Sequence, residues 1–267
     1  MLELRSASYR YAGYSRRALQ DVSLTMADGE IVGVVGANET GKSTLCLVAS
    51  GLAPGSIGGG LDGELRIDGE PMRDRPLHEL AQRVGIAFQN PATQLSGVTG
   101  SVFEEVALGP MNLGLPARET VARTRRALAA LRIEDLAERA PLRLSGGQGQ
   151  LVVLASLLAM QTPHLVLDEP TAQLDPEGTR LVGEAMRELA ATGAALLVAE
   201  HKTDLLDGLC DRVVVLDGGR IALEGPAERV MEDPRLEALG VEPPARIRLA
   251  RALEARGLDA RAVEEPA

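Results

Sequence analysis

Eight consecutive residues constrain this chain more than any others: Gly36, Ala37, Asn38, Glu39, Thr40, Gly41, Lys42 and Ser43. They fit the pattern G-x-x-x-x-G-K-[ST]. They lie between an apolar run over residues 31–35 and a helical pattern that starts within residues 41–43 and ends near Gly51. Strand, glycine-bearing turn and helix in that order make a cradle for phosphate. Glycine lets the backbone approach closely, and the helix N-terminus offers free N–H groups and the positive end of its dipole. The backbone from Gly36 through Thr44 is expected to wrap the phosphates, with Lys42 reaching the terminal ones and the Ser43 hydroxyl holding Mg2+.

The rest of the chain is written to support such a loop. Short apolar runs at residues 22–26, 31–35, 65–68, 84–88, 165–168, 194–199 and 213–216 read as strands. The helical stretches between them predict an α/β fold, a mostly parallel sheet with helices packed on it. Residues 53–63, rich in glycine, read as a loop. From about residue 101 to residue 160 helical periodicity dominates, with residues 119–131 and 149–160 the clearest helices. Further helices are expected from Pro176 and over residues 203–209, and Asp217-Gly218-Gly219 turns the chain into a hairpin with residues 220–224. After Gly240, Glu242-Pro243-Pro244-Ala245 leads into an Arg/Ala/Leu-rich helical tail. The expected organisation is one domain over residues 1–240, with a helical subdomain at about 101–160, and a C-terminal helical extension over 241–267.

Composition removes several function classes. With 28 basic and 38 acidic residues the net charge is −10, and aromatics are only 2% with no Trp, so no nucleic-acid partner is expected. The longest apolar stretch, residues 151–160, is far shorter than the roughly 20 residues that span a bilayer. The opening residues lack the basic and apolar regions of a secretory signal, and Cys46 and Cys210 make no disulfide framework, so a soluble protein of a reducing compartment is expected.

The acidic partner of the phosphate loop is found at Leu165-Val166-Leu167-Asp168-Glu169-Pro170. A carboxylate at the end of an apolar strand beside such a loop is suited to Mg2+, which assigns Asp168, and Glu169 is placed to polarise an attacking water as general base. Upstream, Ser145, Gly146, Gly147 and Gln148 open an apolar helix and form a second anion-binding helix start.

Leu144-Ser145-Gly146-Gly147-Gln148 with the two motifs above resembles the ATP-binding cassette ATPases over nearly the whole chain. The resemblance implies a P-loop NTPase of that type, a RecA-like core with an antiparallel β subdomain and a helical signature subdomain, which hydrolyses ATP with Mg2+. It further implies a head-to-tail dimer in which Ser145, Gly146, Gly147 and Gln148 of one subunit cap the nucleotide held by the other. By the same resemblance Gln89 contacts Mg2+ and water, Asp175 crosses the dimer interface, and His201 is the switch histidine. Tyr11 is similar to the aromatic that stacks on adenine, with Tyr9 and Tyr14 close enough to compete. His78 and His164 are taken as structural.

Residues 88–94, Glu104-Glu105-Val106-Ala107-Leu108-Gly109-Pro110, residues 171–176 and the Glu242-Pro243-Pro244-Ala245 tail are similar to the energy-coupling factor ATPases. That similarity implies import of a vitamin or transition-metal ion at the cytoplasmic face of the membrane. The expected partners are a second ATPase subunit, a transmembrane coupling protein that meets residues 101–144, and a substrate-binding membrane protein. The nearest alternatives are an ordinary importer or exporter of the same family and a soluble ATPase outside transport. A GTPase is disfavoured, because His201 stands where guanine reading needs Asn. Three departures stand out. Glu39 replaces a usual Gly, which the flanking glycines should tolerate, and Ala37 replaces a common Pro. Gly149 and Leu151 follow the signature where basic or amide residues are usual, which predicts a weakened signature in this subunit.

Overall fold

In the computed structural model, which describes residues 1–258, the strands form two sheets. The larger has six strands. β3 (Ile31–Val35) lies at its centre, with β9 (Arg212–Asp217) and β10 (Arg220–Pro226) on one side and β8 (Ala195–Ala199), β7 (His164–Asp168) and β6 (Val84–Ala87) on the other. All pairs are parallel except the β9–β10 hairpin. The smaller sheet is antiparallel, in the order β2 (Leu19–Met26), β1 (Leu2–Arg10), β4 (Gly60–Ile67), β5 (Glu70–Pro71).

β3 and β8 are free of polar side chains, and β7 and β9 are apolar between their end residues, because both faces of the large sheet are covered. Side chains alternate across a strand. Thus Val32, Val34, Ala195 and Leu197 join the core shared with the small sheet and helix α1 (Lys42–Ala49), while Ile31, Val35, Leu196 and Val198 join the core on the other face. That second core takes in the helical subdomain: α2 (Val102–Asn112), α3 (Ala117–Ala130) and α4 (Gly146–Met160). α5 (Pro176–Ala191) packs on the same side. α6 (Ala245–Glu254) follows the proline pair, and the remainder of the expected 241–267 extension, residues 259–267, lies outside the described residues.

Several boundaries differ from the expectation. Residues 53–63 are not one loop: a short helix runs Leu52–Gly55, and β4 begins at Gly60, well before residue 65. Two of the glycines there sit in tight contacts with β1: a Cβ on Gly59 would lie 2.4 Å from the Arg10 carbonyl, and one on Gly63 2.3 Å from the Arg5 carbonyl across the β1–β4 ladder. The structure adds a strand absent from the sequence reading, β1, which pairs with β2 from Leu2 opposite Met26 to Tyr9 opposite Leu19 and with β4 on its other side. Helix ends also move: α4 starts at Gly146 rather than 149, and the helix from Thr203 ends at Leu206.

Candidate functional site

Parallel strands put their C-terminal ends along one edge, and the register decides what meets there: Val34 pairs with Ala199, Ala199 with Asp168, and Leu167 with Ala87. The residues that follow the four strand ends are the phosphate loop, Glu169, Glu200-His201 and Phe88-Gln89. A crevice outside strand ends is where open α/β sheets take ligands. Here a cavity of about 400 Å³ is lined by Tyr11, Asn38, Lys42, Ser43, Gln89, Glu169 and His201, among others.

Two glycines of the loop are sterically required. A Cβ on Gly36 would stand 2.5 Å from the Leu216 carbonyl oxygen and 2.6 Å from Thr40 Oγ1, and one on Gly41, at φ +107°, 2.8 Å from the Ala18 carbonyl. Glu39 adopts the left-handed conformation itself, at φ +62°. The preference for Gly there follows directly, and the neighbouring glycines do not relieve the cost, on the order of 1–2 kcal/mol for a residue with a Cβ. The buried Lys42 ammonium donates to the carbonyls of Gly36 (2.8 Å) and Ala37 (2.9 Å). Burial lowers its pKa, opposed by Glu169 and Asp168.

Asp168 ends β7, buried, with Oδ1 making no hydrogen bond. Burial raises its carboxyl pKa, opposed by the adjacent Ser43 hydroxyl and by Lys42. Glu169 leaves the strand at φ +49° and ties its N–H to the Ala199 carbonyl (2.8 Å). Both of its carboxylate oxygens are engaged: Oε2 accepts from Gln89 Nε2 at 2.8 Å and Oε1 lies 3.1 Å from His201 Nε2. Tyr11 hydrogen-bonds Thr44 through its hydroxyl (3.0 Å). Tyr9 is fully buried and donates to the Gly58 carbonyl, which removes it from competition, whereas Tyr14 is exposed and also lines the cavity.

Ser145, Gly146, Gly147 and Gln148 do not line this cavity. Ser145 caps α4, its Oγ accepting from the Gln148 N–H while Gln148 Oε1 accepts from the Ser145 N–H. The two glycines lie against the loop that follows Glu169; a Cβ on Gly147 would be 2.9 Å from the Gln173 carbonyl. Asp175 ends that loop by capping α5 through the Gly178 N–H (2.7 Å). The structure thus gathers one group around Lys42 and leaves the 145–148 group outside that cavity, against the loop after Glu169. Arg16 and Arg17, which line the cavity, escaped the sequence reading, because the loop that carries them follows the unread strand β1. The alternation of Leu2 and Leu4 was the available signal. At the opposite end of β7, Asp28, Asp68 and the buried His164 come together, but the Met1 ammonium already lies 2.5 and 2.8 Å from the two carboxylates.

No helix among the described residues is long and apolar enough to cross a membrane. The ABC transporter family model matches residues 19–172. The chain is 41% identical over 265 residues to a putative ABC transporter ATP-binding protein of Pyrococcus abyssi, covering 98% of this chain and 94% of that one. It is 40% identical over 248 residues to an energy-coupling factor transporter ATP-binding protein of Symbiobacterium thermophilum, covering 91% and 84%. Among solved structures it resembles cbiO1 of Clostridium perfringens, part of the ABC transporter complex cbiONQ, with a TM-score of 0.76 at 29% identity over 96% and 94% of the chains. A dimeric ATP-binding cassette in a post-hydrolysis state with ADP and Pi matches with a TM-score of 0.75 at 26% identity, over 85% and 99%. The phosphate loop, the strand-end carboxylates and these likenesses agree: the chain belongs to the ABC transporter family, as an ATP-binding subunit that hydrolyses ATP.

Proposed function

We propose that this ATPase drives an energy-coupling factor importer of a vitamin or transition-metal ion, at the cytoplasmic face of the membrane. The likeness to energy-coupling factor ATP-binding proteins over most of the chain supports the subfamily. In this reading residues 1–240 form the nucleotide-binding domain with its helical subdomain at 101–160, and 241–267 the C-terminal extension. The partners are a second ATPase subunit, a transmembrane coupling protein and a substrate-binding membrane protein.

One observation carries the catalytic assignment: the Glu169 carboxylate is held from both sides, by Gln89 and His201, in the cavity that also contains Lys42 and Ser43. A carboxylate so fixed is oriented to take a proton from a water attacking the terminal phosphate. Lys42 exchanges its two loop carbonyls for phosphate oxygens, and the N–H groups from Gly36 through Thr44 enclose the phosphates. The buried, unpartnered Oδ1 of Asp168 beside the Ser43 hydroxyl fits a hard cation that prefers oxygen, and Gln89, whose Nε2 is occupied by Glu169, has its amide oxygen to offer. Asp168, Ser43 and Gln89 would hold Mg2+ there, which when bound would neutralise charge on the phosphates. Tyr11 stacks on the adenine. Ser145, Gly146, Gly147 and Gln148, with Asp175, act on the nucleotide of the second subunit. His201 senses the terminal phosphate through its contact with Glu169.

The test is Glu169→Gln. Binding of a fluorescent ATP analogue is expected to persist while turnover falls by about 10³-fold, the loss typical of a misassigned proton. Normal turnover would sink the assignment.

A further inference from the structure

The end of β8 carries a buried carboxylate that the reaction above does not use. Glu200 is 2% exposed, and its oxygens are fully committed. Oε1 accepts from the Thr171 N–H (3.0 Å) and the Thr171 hydroxyl (2.5 Å), and Oε2 accepts from the His201 N–H (3.2 Å). From the far side of His201, the Lys202 ammonium donates to the Thr171 carbonyl at 2.9 Å. Thr171 is fully buried, and its N–H, hydroxyl and carbonyl are therefore all held by the two residues that flank His201.

The position of Thr171 gives this grip its meaning. It opens the loop of residues 171–175, two residues after Glu169, and that loop is the surface against which Gly146 and Gly147 lie. A carboxylate is a costly way to fill a buried space, and it is tolerated where charge-assisted hydrogen bonds satisfy it. Three donors from two segments converge on one carboxylate, with the Thr171 hydroxyl bond the shortest, so the two segments are tied to each other through it.

We propose that Glu200 is a positioning residue: its carboxylate locks the His201 backbone to the 171–175 loop, so that displacement of this loop by the signature residues is carried to His201 and, through its ring, to Glu169. The proposal rests on the roles of Glu169 and His201 given above. A purely space-filling Glu200 would support stability and leave the timing of catalysis alone.

The test compares the full-length chain with its Glu200→Ala, Glu200→Gln and Thr171→Ala variants by steady-state ATP hydrolysis and by backbone hydrogen exchange. Glu200→Ala is expected to lower kcat by about tenfold to a hundredfold while KM for ATP stays within about twofold, the signature of a misplaced catalytic group. Exchange quickens at the Thr171 and His201 amides and is unchanged in α1. Glu200→Gln keeps an acceptor for Thr171 but turns an amide N–H₂ toward the His201 N–H, so it restores kcat only in part. Thr171→Ala removes the hydroxyl alone and should lower kcat by a smaller factor, which keeps the test open even if Glu200→Ala fails to fold. Unchanged kcat and exchange in Glu200→Ala or Thr171→Ala overturns the proposal, as does a loss carried by KM. Normal turnover in Glu169→Gln overturns the catalytic reading instead, and the exchange measurement still decides whether the joint exists.

Discussion

Gly149→Ala should stabilise this protein, and the structure supplies both the sign and the size. Gly149 lies in the first turns of α4, its N–H donating to the Ser145 carbonyl at 2.8 Å, so its backbone is already helical. Glycine in a helix interior costs up to about 1 kcal/mol against alanine, because the unfolded chain has more freedom to lose. The added methyl has room: its nearest neighbours would be Pro91 Cβ and Cγ at 3.8 Å and Leu95 Cδ1 at 3.9 Å, ordinary contact distances. Those contacts add a few tenths of a kcal/mol, since one methyl burying against two apolar side chains gains less than the roughly 0.8 kcal/mol of a fully buried CH₂. With about 2.1 cal/mol/K per residue of unfolding entropy over 267 residues, a gain of about 1 kcal/mol raises Tm by roughly 2 °C. Differential scanning calorimetry of the two proteins at equal nucleotide concentration measures this. A lower Tm would refute the argument, because neither strain nor overpacking is available to produce it. The position also has a functional reading. Pro91 and Leu95 follow Gln89, so the methyl would couple the segment contacting Glu169 more firmly to the signature helix, and ATP hydrolysis in Gly149→Ala should be no slower than in the parent.

Gly41→Ala should abolish nucleotide binding, because φ +107° suits glycine alone and the new Cβ would stand 2.8 Å from the Ala18 carbonyl; equilibrium titration with a fluorescent ATP analogue checks it. Tyr11→Ala should weaken ATP affinity by about tenfold, the range of one lost base–aromatic stack, whereas Tyr9→Phe, which alters only a bond to Gly58, should leave it unchanged. Equal effects would reassign the stacking residue. Burial lowers the His164 pKa below its ordinary 6.5, so between the folded and unfolded values the unfolded chain binds more protons. Stability is therefore lost as pH falls below about 6.5, by up to about 1.4 kcal/mol per pH unit, and His164→Asn should flatten this part of a Tm-against-pH curve. Tagging the chain and purifying it from native membranes with Mg-ATP should bring down one multispanning coupling protein and one small membrane protein. A pair of ordinary permeases would keep the ATPase and discard the energy-coupling factor assignment.

What could be read from the sequence was what local chemistry alone dictates. The loop from Gly36 to Ser43 is legible because its turn needs glycine at Gly36 and Gly41 and the pattern fixes their spacing, and Asp168 because an apolar strand that stops on a carboxylate is paired with that loop. The parallel strands were legible because burial on both faces leaves an unbroken apolar run, as in Ile31–Val35 and Ala195–Ala199. β1 was not, because its outward positions are polar and its ladder is interrupted by register shifts near Ala7, which break the alternation that marks a strand. β4 was hidden for a related reason: Gly59 and Gly63 look like loop residues until the close approach of β1 gives them a purpose. Glu200 was illegible in a stricter sense. A charged residue next to His201 reads as solvated surface, and nothing local announces that Thr171, 29 residues earlier, will bury beneath it and offer two donors to one oxygen. Its partner is brought to it only by the pairing of β7 with β8, which sets Asp168 opposite Ala199 and so places the residues after each strand side by side. Motif spacing thus points to the groups assigned above to the nucleotide. The groups that hold those in place belong to the sheet register, and they become visible only when the strands are paired.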